Sequence, residues 1–153
     1  MKVRFEVDES MPADEMLIRC GRADAEVERI CRLLREQEAA EASITFYKEN
    51  RACYFPLQEV LFFETADEHT YAHTADDAYR IKYRLYELEA LLPHSFVRVA
   101  KSAIVNVAKI SSVTRNIASA SLIQFAGTRK QLYASRYYYK NLQQRLQERG
   151  QKL

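Results

Sequence analysis

The sequence is poor in residues that interrupt regular structure, because its 153 residues include only three glycines and three prolines. It also lacks tryptophan. Loops that cradle phosphate need closely spaced glycines, and neither a Walker sequence nor a G-x-G-x-x-G fingerprint occurs; G-x-S-x-G and H-E-x-x-H are missing too. No apolar run approaches the roughly 20 residues that cross a bilayer, and the first residues lack the apolar stretch of a signal peptide. We therefore expect a cytoplasmic globular protein of one domain, or one domain with a small attachment.

Cysteine is also scarce. Cys20, Cys31 and Cys53 are an odd number at wide spacings, without a C-x-x-C pair. This pattern fits neither a disulfide framework nor a zinc site. We expect all three to be small buried hydrophobic residues.

Acidic residues are missing from one long stretch. None occurs between Glu89 and Glu148, whereas nine lysines and arginines do, although the whole chain has a net charge of +2. The segments 1–42 and 43–89 each carry −4, so the 64 residues from 90 onwards carry +10. Such one-sided charge indicates a polyanionic partner, with nucleic acid ahead of membrane headgroups. The alternative is that the acidic segments fold back and neutralise the charge internally.

Hydrophobic periodicity predicts an α+β protein. Alternating apolar residues predict a strand over 3–7, and the segment 16–20 is a plausible second strand. A helical stripe of apolar residues begins at Ala23. We expect this helix to continue to a junction near residue 42. Residues 1–42 are thus predicted to form a small strand-strand-helix unit with a regulatory or dimerisation role.

From residue 43 to residue 153 the pattern changes to short strands bounded by turns. Two short helices interrupt them: one ends at Pro93, and Ser135 is a good N-cap for the other, over 137–147. The strands are predicted at 44–48, 53–55, 60–64, 70–74, 79–82, 95–99, 104–107, 122–125 and 131–134. This second part is expected to be mostly antiparallel sheet.

One pair of histidines is close in sequence. His69 and His73 would point to the same face of a strand, but four residues of extended chain separate their Cβ atoms by about 13 Å, too far for one metal ion unless the chain bends. A small metal-dependent enzyme centred on this pair is therefore the weaker alternative. We expect no metal, no cofactor and no catalytic residue.

Four ordered motifs resemble those of one family of DNA-binding domains. Residues 96–106, FVRVAKSAIVN, are similar to the signature F-x-R-V-H-R/K-S-x-I-V-N of LytTR-type domains. The second motif is the apolar strand 60–64, which ends in Glu and is followed by a polar turn with His69. The third is the L-x-x-L-x-x-x-L-P helix at 85–93. The fourth is the closing Y-A-S-R-Y element at 133–137. Four elements in order are much more specific than any one of them.

The resemblance spans residues 43–150 and implies a mostly antiparallel β fold with short helices, whose loops enter successive major grooves of double-stranded DNA. It also implies a bacterial transcriptional regulator that binds repeated sites as a homodimer and bends the duplex. Ala100 departs from the pattern, where many members carry His, but Lys101 keeps a cation beside it. Members commonly carry a receiver domain of about 120 residues, which 42 residues cannot hold, so the chain resembles the short form. The resemblance to these short members implies a small membrane protein as an inhibitory partner.

Seven side chains are candidates for contacts to DNA. We expect Lys101 and His69 to reach base edges, and Arg136 to contact either a base edge or a phosphate. Lysine and arginine can donate to guanine O6 and N7, and histidine can donate or accept depending on its tautomer. Phosphate contacts that set the register are expected from the other four, Arg98, Ser102, Arg115 and Lys140.

Two of the motif residues have structural alternatives. Arg98 could instead form an internal ion pair with Glu64 or Glu87. Asn106 is predicted to bond the backbone rather than a base.

One further interpretation stays open. The acidic 1–42 unit could bind a protein partner while the basic part is only its scaffold, and no salt-dependent affinity for DNA would then be expected. Single-stranded DNA is disfavoured, because helical spacing should bury Tyr138 and leave only its neighbours exposed for stacking.

Overall fold

The computed structural model describes residues 7–10, 17–41 and 44–151. Within these ranges the chain forms ten short strands and three α-helices. In chain order they are α1 (Ala25–Glu41), β1 (Phe46–Lys48), β2 (Arg51–Cys53), β3 (Phe62–Ala66), β4 (His69–His73), β5 (Ala78–Ile81), α2 (Leu85–Leu91), β6 (Phe96–Ala100), β7 (Ala103–Asn106), β8 (Ile110–Thr114), β9 (Ser121–Phe125), β10 (Gln131–Ala134) and α3 (Arg136–Gln151). Single 3₁₀ turns lie at Leu57–Glu59 and Val107–Lys109.

The strands form two antiparallel sheets. The larger has seven strands in the order β2-β1-β5-β4-β3-β7-β6, and the smaller has the order β10-β9-β8. Each recorded strand pair is antiparallel. The predicted α+β class, with mostly antiparallel sheet and short helices, is confirmed.

The larger sheet is buried on both faces. On one face Phe62 and Val105 pack with the smaller sheet and with Leu142 of α3. On the other face Phe63 and Ile104 pack against α2. Neighbouring residues of a strand point to opposite faces, so two consecutive apolar residues on one strand serve two separate cores. Burying each such side chain stabilises the fold by roughly 1.5–3 kcal/mol.

Hydrogen bonds join the two sheets at both ends. The N–H of Ser135, which follows β10, donates to the Val99 carbonyl of β6 at 2.8 Å. At the opposite end, the Thr128 hydroxyl donates to the Ala75 carbonyl at 2.9 Å. The turns of the two sheets are therefore held together at each end of the domain.

Helix α1 is confirmed, and it begins at an acidic cap. Asp24 Oδ1 accepts a hydrogen bond from the Val27 N–H at 3.0 Å, which satisfies one of the free donors at the helix start. Val27 is buried, and Arg32 lies 3.9 Å from Glu148 of α3. Among the helix side chains that the structure describes, Val27 and Arg32 therefore attach the helix to the sheet domain.

The predicted second strand of the N-terminal unit is not formed. Residues 17–20 lie in no strand, and Leu17 is 66% exposed. A strand needs a neighbour for its backbone groups, and no described strand pairs with this segment. The first predicted strand, 3–7, lies outside the described residues except for Val7. Cys20 is exposed and Cys31 and Cys53 are half-buried, so the expectation of three buried cysteines is wrong.

Two further details of the sheet domain differ from expectation. Strand β8 was not predicted, because its alternation is interrupted by a register shift between Ile110 and Ser112. Ser135 precedes α3 but is no side-chain cap, since its buried hydroxyl has no hydrogen-bond partner. Asn106 does bond the backbone: its amide donates to the Val60 carbonyl at 3.0 Å and accepts from the Ala108 N–H at 3.1 Å.

Candidate nucleic-acid interface

The first part of the candidate site is the tight turn between β3 and β4. Asp67 and Glu68 both have positive φ, 50° and 65°, as in the two-residue turns that suit the twist of a hairpin. His69 follows directly, pairs with Ala66 and is half-buried. The turn therefore presents a histidine next to two exposed carboxylates.

A second turn lies beside the first. Lys101 and Ser102 connect β6 and β7, and both are exposed. The Ser102 carbonyl accepts a hydrogen bond from the Thr65 N–H of β3 at 2.8 Å. This bond places the predicted residues Lys101 and Ser102 at the same end of the sheet as His69.

The start of α3 completes this end of the domain. Ser135 is bonded to Val99, two residues before Lys101, so the first residue of the helix, Arg136, begins close to the β6–β7 turn. Lys140 is one helical turn further along the same face, and both side chains are exposed.

Arg115 reaches α3 from the smaller sheet. It follows β8, and its guanidinium carbon lies 4.8 Å from the centre of the Tyr139 ring. This distance is within the range of a cation–π contact. We call the region formed by His69, Lys101, Ser102, Arg115, Arg136 and Lys140 the Lys101 end.

The charges at the Lys101 end are separated. Lys101, Arg136 and Lys140 are exposed and form no ion pair with any residue in the described ranges. Asp67 and Glu68 supply negative charge on the His69 turn only. The positive charge therefore lies on the β6–β7 turn and α3, where phosphate would be attracted.

Arg98 does not present a free guanidinium. Its Nε donates to the Ala100 carbonyl at 2.7 Å, its Nη1 to Glu89 of α2, and its Nη2 to the Lys101 carbonyl. The side chain is 19% exposed. Arg98 therefore forms an internal ion pair, which is one of the two roles predicted for it. Its partner is Glu89, whereas the expected partners were Glu64 and Glu87.

Both carboxylates expected to pair with Arg98 have other partners. Glu87 accepts a hydrogen bond from the Arg84 N–H at 3.0 Å, at the start of α2. Glu64 lies 3.8 Å from His73. Glu89 is nine residues from Arg98 and across a proline, so no spacing rule could have indicated it.

Other cations of the basic stretch lie at the opposite end. Lys130 Nζ donates to the Asp77 carbonyl at 2.5 Å and lies 3.3 Å from His73 Nδ1, and Lys48 pairs with the Asp77 carboxylate. Burial and the charge of Lys130 lower the pKa of His73 to about 4. We call the region of Lys48, His73, Asp77, Thr128 and Lys130 the Asp77 end.

Two arginines of α3 bond the backbone of the sheet domain. Arg145 donates to the His94 and Phe96 carbonyls, at 2.5 and 3.2 Å. Arg149 donates to the Val107 and Ile110 carbonyls, at 2.5 and 3.0 Å. Part of the positive charge therefore forms hydrogen bonds within the domain. The acceptors are backbone carbonyl groups more often than carboxylates of the acidic segments.

No group of three metal-ligating side chains comes together within the parts of the chain that the structure describes. His69 and His73 lie at opposite ends of β4, and the His73 ring stacks on Phe62 with a centroid separation of 4.4 Å. In the same ranges, no helix combines the length and apolar character needed to span a membrane.

Comparison with known families gives a direct match. The family model described as LytTr DNA-binding domain matches residues 50–147, more than half of the chain. The chain belongs to this family. The match covers all strands of the LytTR domain from β3 onward and most of α3, and so includes the whole Lys101 end.

Relatives of this chain are named as transcriptional regulators, and a solved structure of the same family is similar to it. The chain is 31% identical over 90 residues to an uncharacterized HTH-type transcriptional regulator of Staphylococcus aureus strain NCTC 8325, and 30% identical to one of strain MRSA252. These matches cover 59% of this chain, and the chain spans 60% of the length of those relatives. A solved LytTr DNA-binding domain from Bacillus cereus superposes with a TM-score of 0.62 at 28% identity, covering 68% of this chain and 96% of that one.

Proposed function

We propose that the chain is a sequence-specific, double-stranded-DNA-binding transcriptional regulator that acts in the cytoplasm and reads DNA with its Lys101 end. The observation that carries the proposal is a set of exposed cations that form no ion pair with any described residue, where the turns of both sheets meet: Lys101, Arg136 and Lys140. Family membership and the names of the relatives support DNA binding and regulation.

The two kinds of contact follow from this arrangement. Lys101 lies on the β6–β7 turn, His69 directly follows the β3–β4 turn at the same end of the sheet, and Arg136 lies beside them. We assign the base contacts to these three side chains. The acidic residues beside His69 disfavour phosphate contact by that turn, whereas a carboxylate can accept from cytosine N4. Ser102, Arg115 and Lys140 are proposed to hold phosphates.

Selection of duplexes from a random library, at two salt concentrations, tests this proposal. Lys101→Ala should weaken binding to selected duplexes by about tenfold more than binding to bulk DNA, as expected for loss of a base contact. Arg129→Ala is the matched control, because it removes an equally exposed cation away from the Lys101 end. Equal losses on selected and bulk DNA would remove Lys101 from base reading.

We also propose that two copies bind repeated sites, with loops in successive major grooves. Half-sites should then be about one helical turn, or 10 bp, apart. The stoichiometry of the complex on one and two half-sites, measured by sedimentation, tests this step. A single copy on a two-half-site duplex at saturation would contradict it.

The 1–42 unit is proposed to make the regulatory or dimer contact. Leu17 is 66% and Leu33 51% exposed, which supports a protein partner for this part of the chain. A partner in the membrane follows from the family resemblance alone. Sedimentation of the full chain without DNA tests self-association, and recovery with membranes of the source cell tests the second partner.

A further inference from the structure

The β6–β7 turn, which presents Lys101, is held from inside the domain. Strands β6 and β7 change register between Arg98 and Ala100, so the end of β6 departs from regular pairing just before the turn. The Arg98 side chain bonds the carbonyls of Ala100 and Lys101 on this irregular segment. These two bonds therefore fix the end of β6 and the first residue of the turn.

The chemistry of guanidinium suits this role. Its planar group carries five N–H donors in a fixed arrangement, so three acceptors bound at once determine its orientation. Two of the acceptors are backbone carbonyls of the turn segment and the third is the Glu89 carboxylate of α2. A lysine at this position would keep the charge but could not reproduce the planar arrangement.

Glu89 supplies an anchor from a different element. Its side chain is 48% exposed, and it also lines a cleft between α1, α2 and α3. An anion at this position would repel phosphate, so a contact with the DNA backbone gives no reason for its presence. The contact with Arg98 does give a reason for a carboxylate at this position.

We propose that Glu89 and Arg98 are positioning residues for the reading turn: α2 orients the Arg98 guanidinium through Glu89, and the guanidinium holds the Lys101 turn. Arg98 is therefore not a phosphate contact. The link between turn geometry and DNA reading rests on the proposed function of Lys101. The holding of the turn itself does not depend on it.

Amide hydrogen exchange in the DNA-free full chain tests the holding of the turn. Arg98→Lys should speed exchange at residues 101–103 by about tenfold, because it removes charge-assisted hydrogen bonds from the turn segment. Glu89→Gln should speed it by about threefold to fivefold, as expected for a partly exposed ion pair. Exchange at Leu142 in the core should not change, which shows that each variant is folded.

Duplex binding provides the second readout. Glu89→Gln makes the chain more positive, so charge alone predicts tighter binding to all DNA. If Glu89 positions the turn, the ratio of the affinity for selected duplexes to the affinity for bulk DNA should instead fall. Glu59→Gln is the matched control, because it makes the same charge change on an exposed residue of the 3₁₀ turn Leu57–Glu59. Arg98→Lys should lower the ratio as well, although it keeps the positive charge.

The outcomes separate the two proposals. Unchanged exchange at residues 101–103 in both variants would overturn the positioning role. Faster exchange with an unchanged affinity ratio would support the holding of the turn and overturn base reading by Lys101. Faster exchange together with a lower ratio, in both Glu89→Gln and Arg98→Lys but not in Glu59→Gln, is the result we expect.

Discussion

The Lys101 end and the Asp77 end of the LytTR domain use the same residue types in opposite ways. At the Lys101 end, Lys101 and Arg136 are exposed and unpaired with any described carboxylate. At the Asp77 end, Lys130 donates to a backbone carbonyl and Lys48 pairs with the Asp77 carboxylate. The positive charge is exposed at one end, and at the other it is bound within the domain.

This difference shows why a charge count along the chain overestimates a binding surface. The basic stretch lacks carboxylates, yet backbone carbonyls serve as acceptors for Lys130, Arg145 and Arg149. A charged donor bound to a carbonyl is a structural group, and its removal should cost stability rather than DNA affinity. The two ends can therefore be separated by experiment.

The largest expected effect is on DNA binding at the Lys101 end. Lys101→Ala combined with Arg136→Ala should lower affinity for a selected duplex by roughly 100-fold, because two base or phosphate donors are lost. The slope of log affinity against log salt concentration should become less steep, by about one to two. Fluorescence titration over a salt series measures both quantities.

The matched control is the pair Lys109→Ala and Arg129→Ala. Both residues are exposed and lie towards the Asp77 end of the smaller sheet. A similar loss of affinity in this control would mean that the two ends do not differ in their use for DNA.

A smaller effect is expected for stability when an internally bonded arginine is removed. Arg149→Met should lower the free energy of unfolding by about 1 kcal/mol, because the Val107 and Ile110 carbonyls lose a charged donor. Urea denaturation measures the change. Lys140→Met, on the same helix, should leave stability within about 0.5 kcal/mol but reduce the salt dependence of DNA binding. The reverse pattern would contradict our division of the cations.

The smallest expected effect concerns pH and the Asp77 end. The pKa of His73 is about 4 in the fold and 6.5 when unfolded, so between these values the unfolded chain binds more protons. The stabilising contribution of neutral His73 is complete above pH 6.5 and is lost as the pH falls towards 4. His73→Asn should flatten the pH dependence of the free energy of unfolding in this window. An unchanged slope in urea denaturation from pH 4.5 to 7 would show that His73 is not protected from protonation.

Much of the LytTR domain could be predicted because its signals are local. Strands such as β3 and β7 carry consecutive apolar residues, and the pleat of a strand sends these to two cores. Strand β8 was missed because a register shift interrupts its alternation. The apolar segment 16–20 was predicted as a strand, but a strand also needs a partner, and its described residues 17–20 lie in no strand.

The candidate site was predicted only in part. Its motif indicated Lys101, His69 and Arg136, and the fold places them on adjoining turns and at the start of a helix. The ion pair of Arg98 with Glu89 and the contact of Arg115 with Tyr139 could not be predicted, since each joins elements that meet only after folding.

By itself, the order of residues determined which segments become strands, which faces they bury and where positive charge is concentrated, because periodicity and composition act over a few neighbours. Only the tertiary structure decided which cations face solvent and which bond carbonyls. That choice depends on how α2, α3 and the two sheets pack against one another. A long side chain bonds whatever acceptor the packing brings within about 3 Å of it.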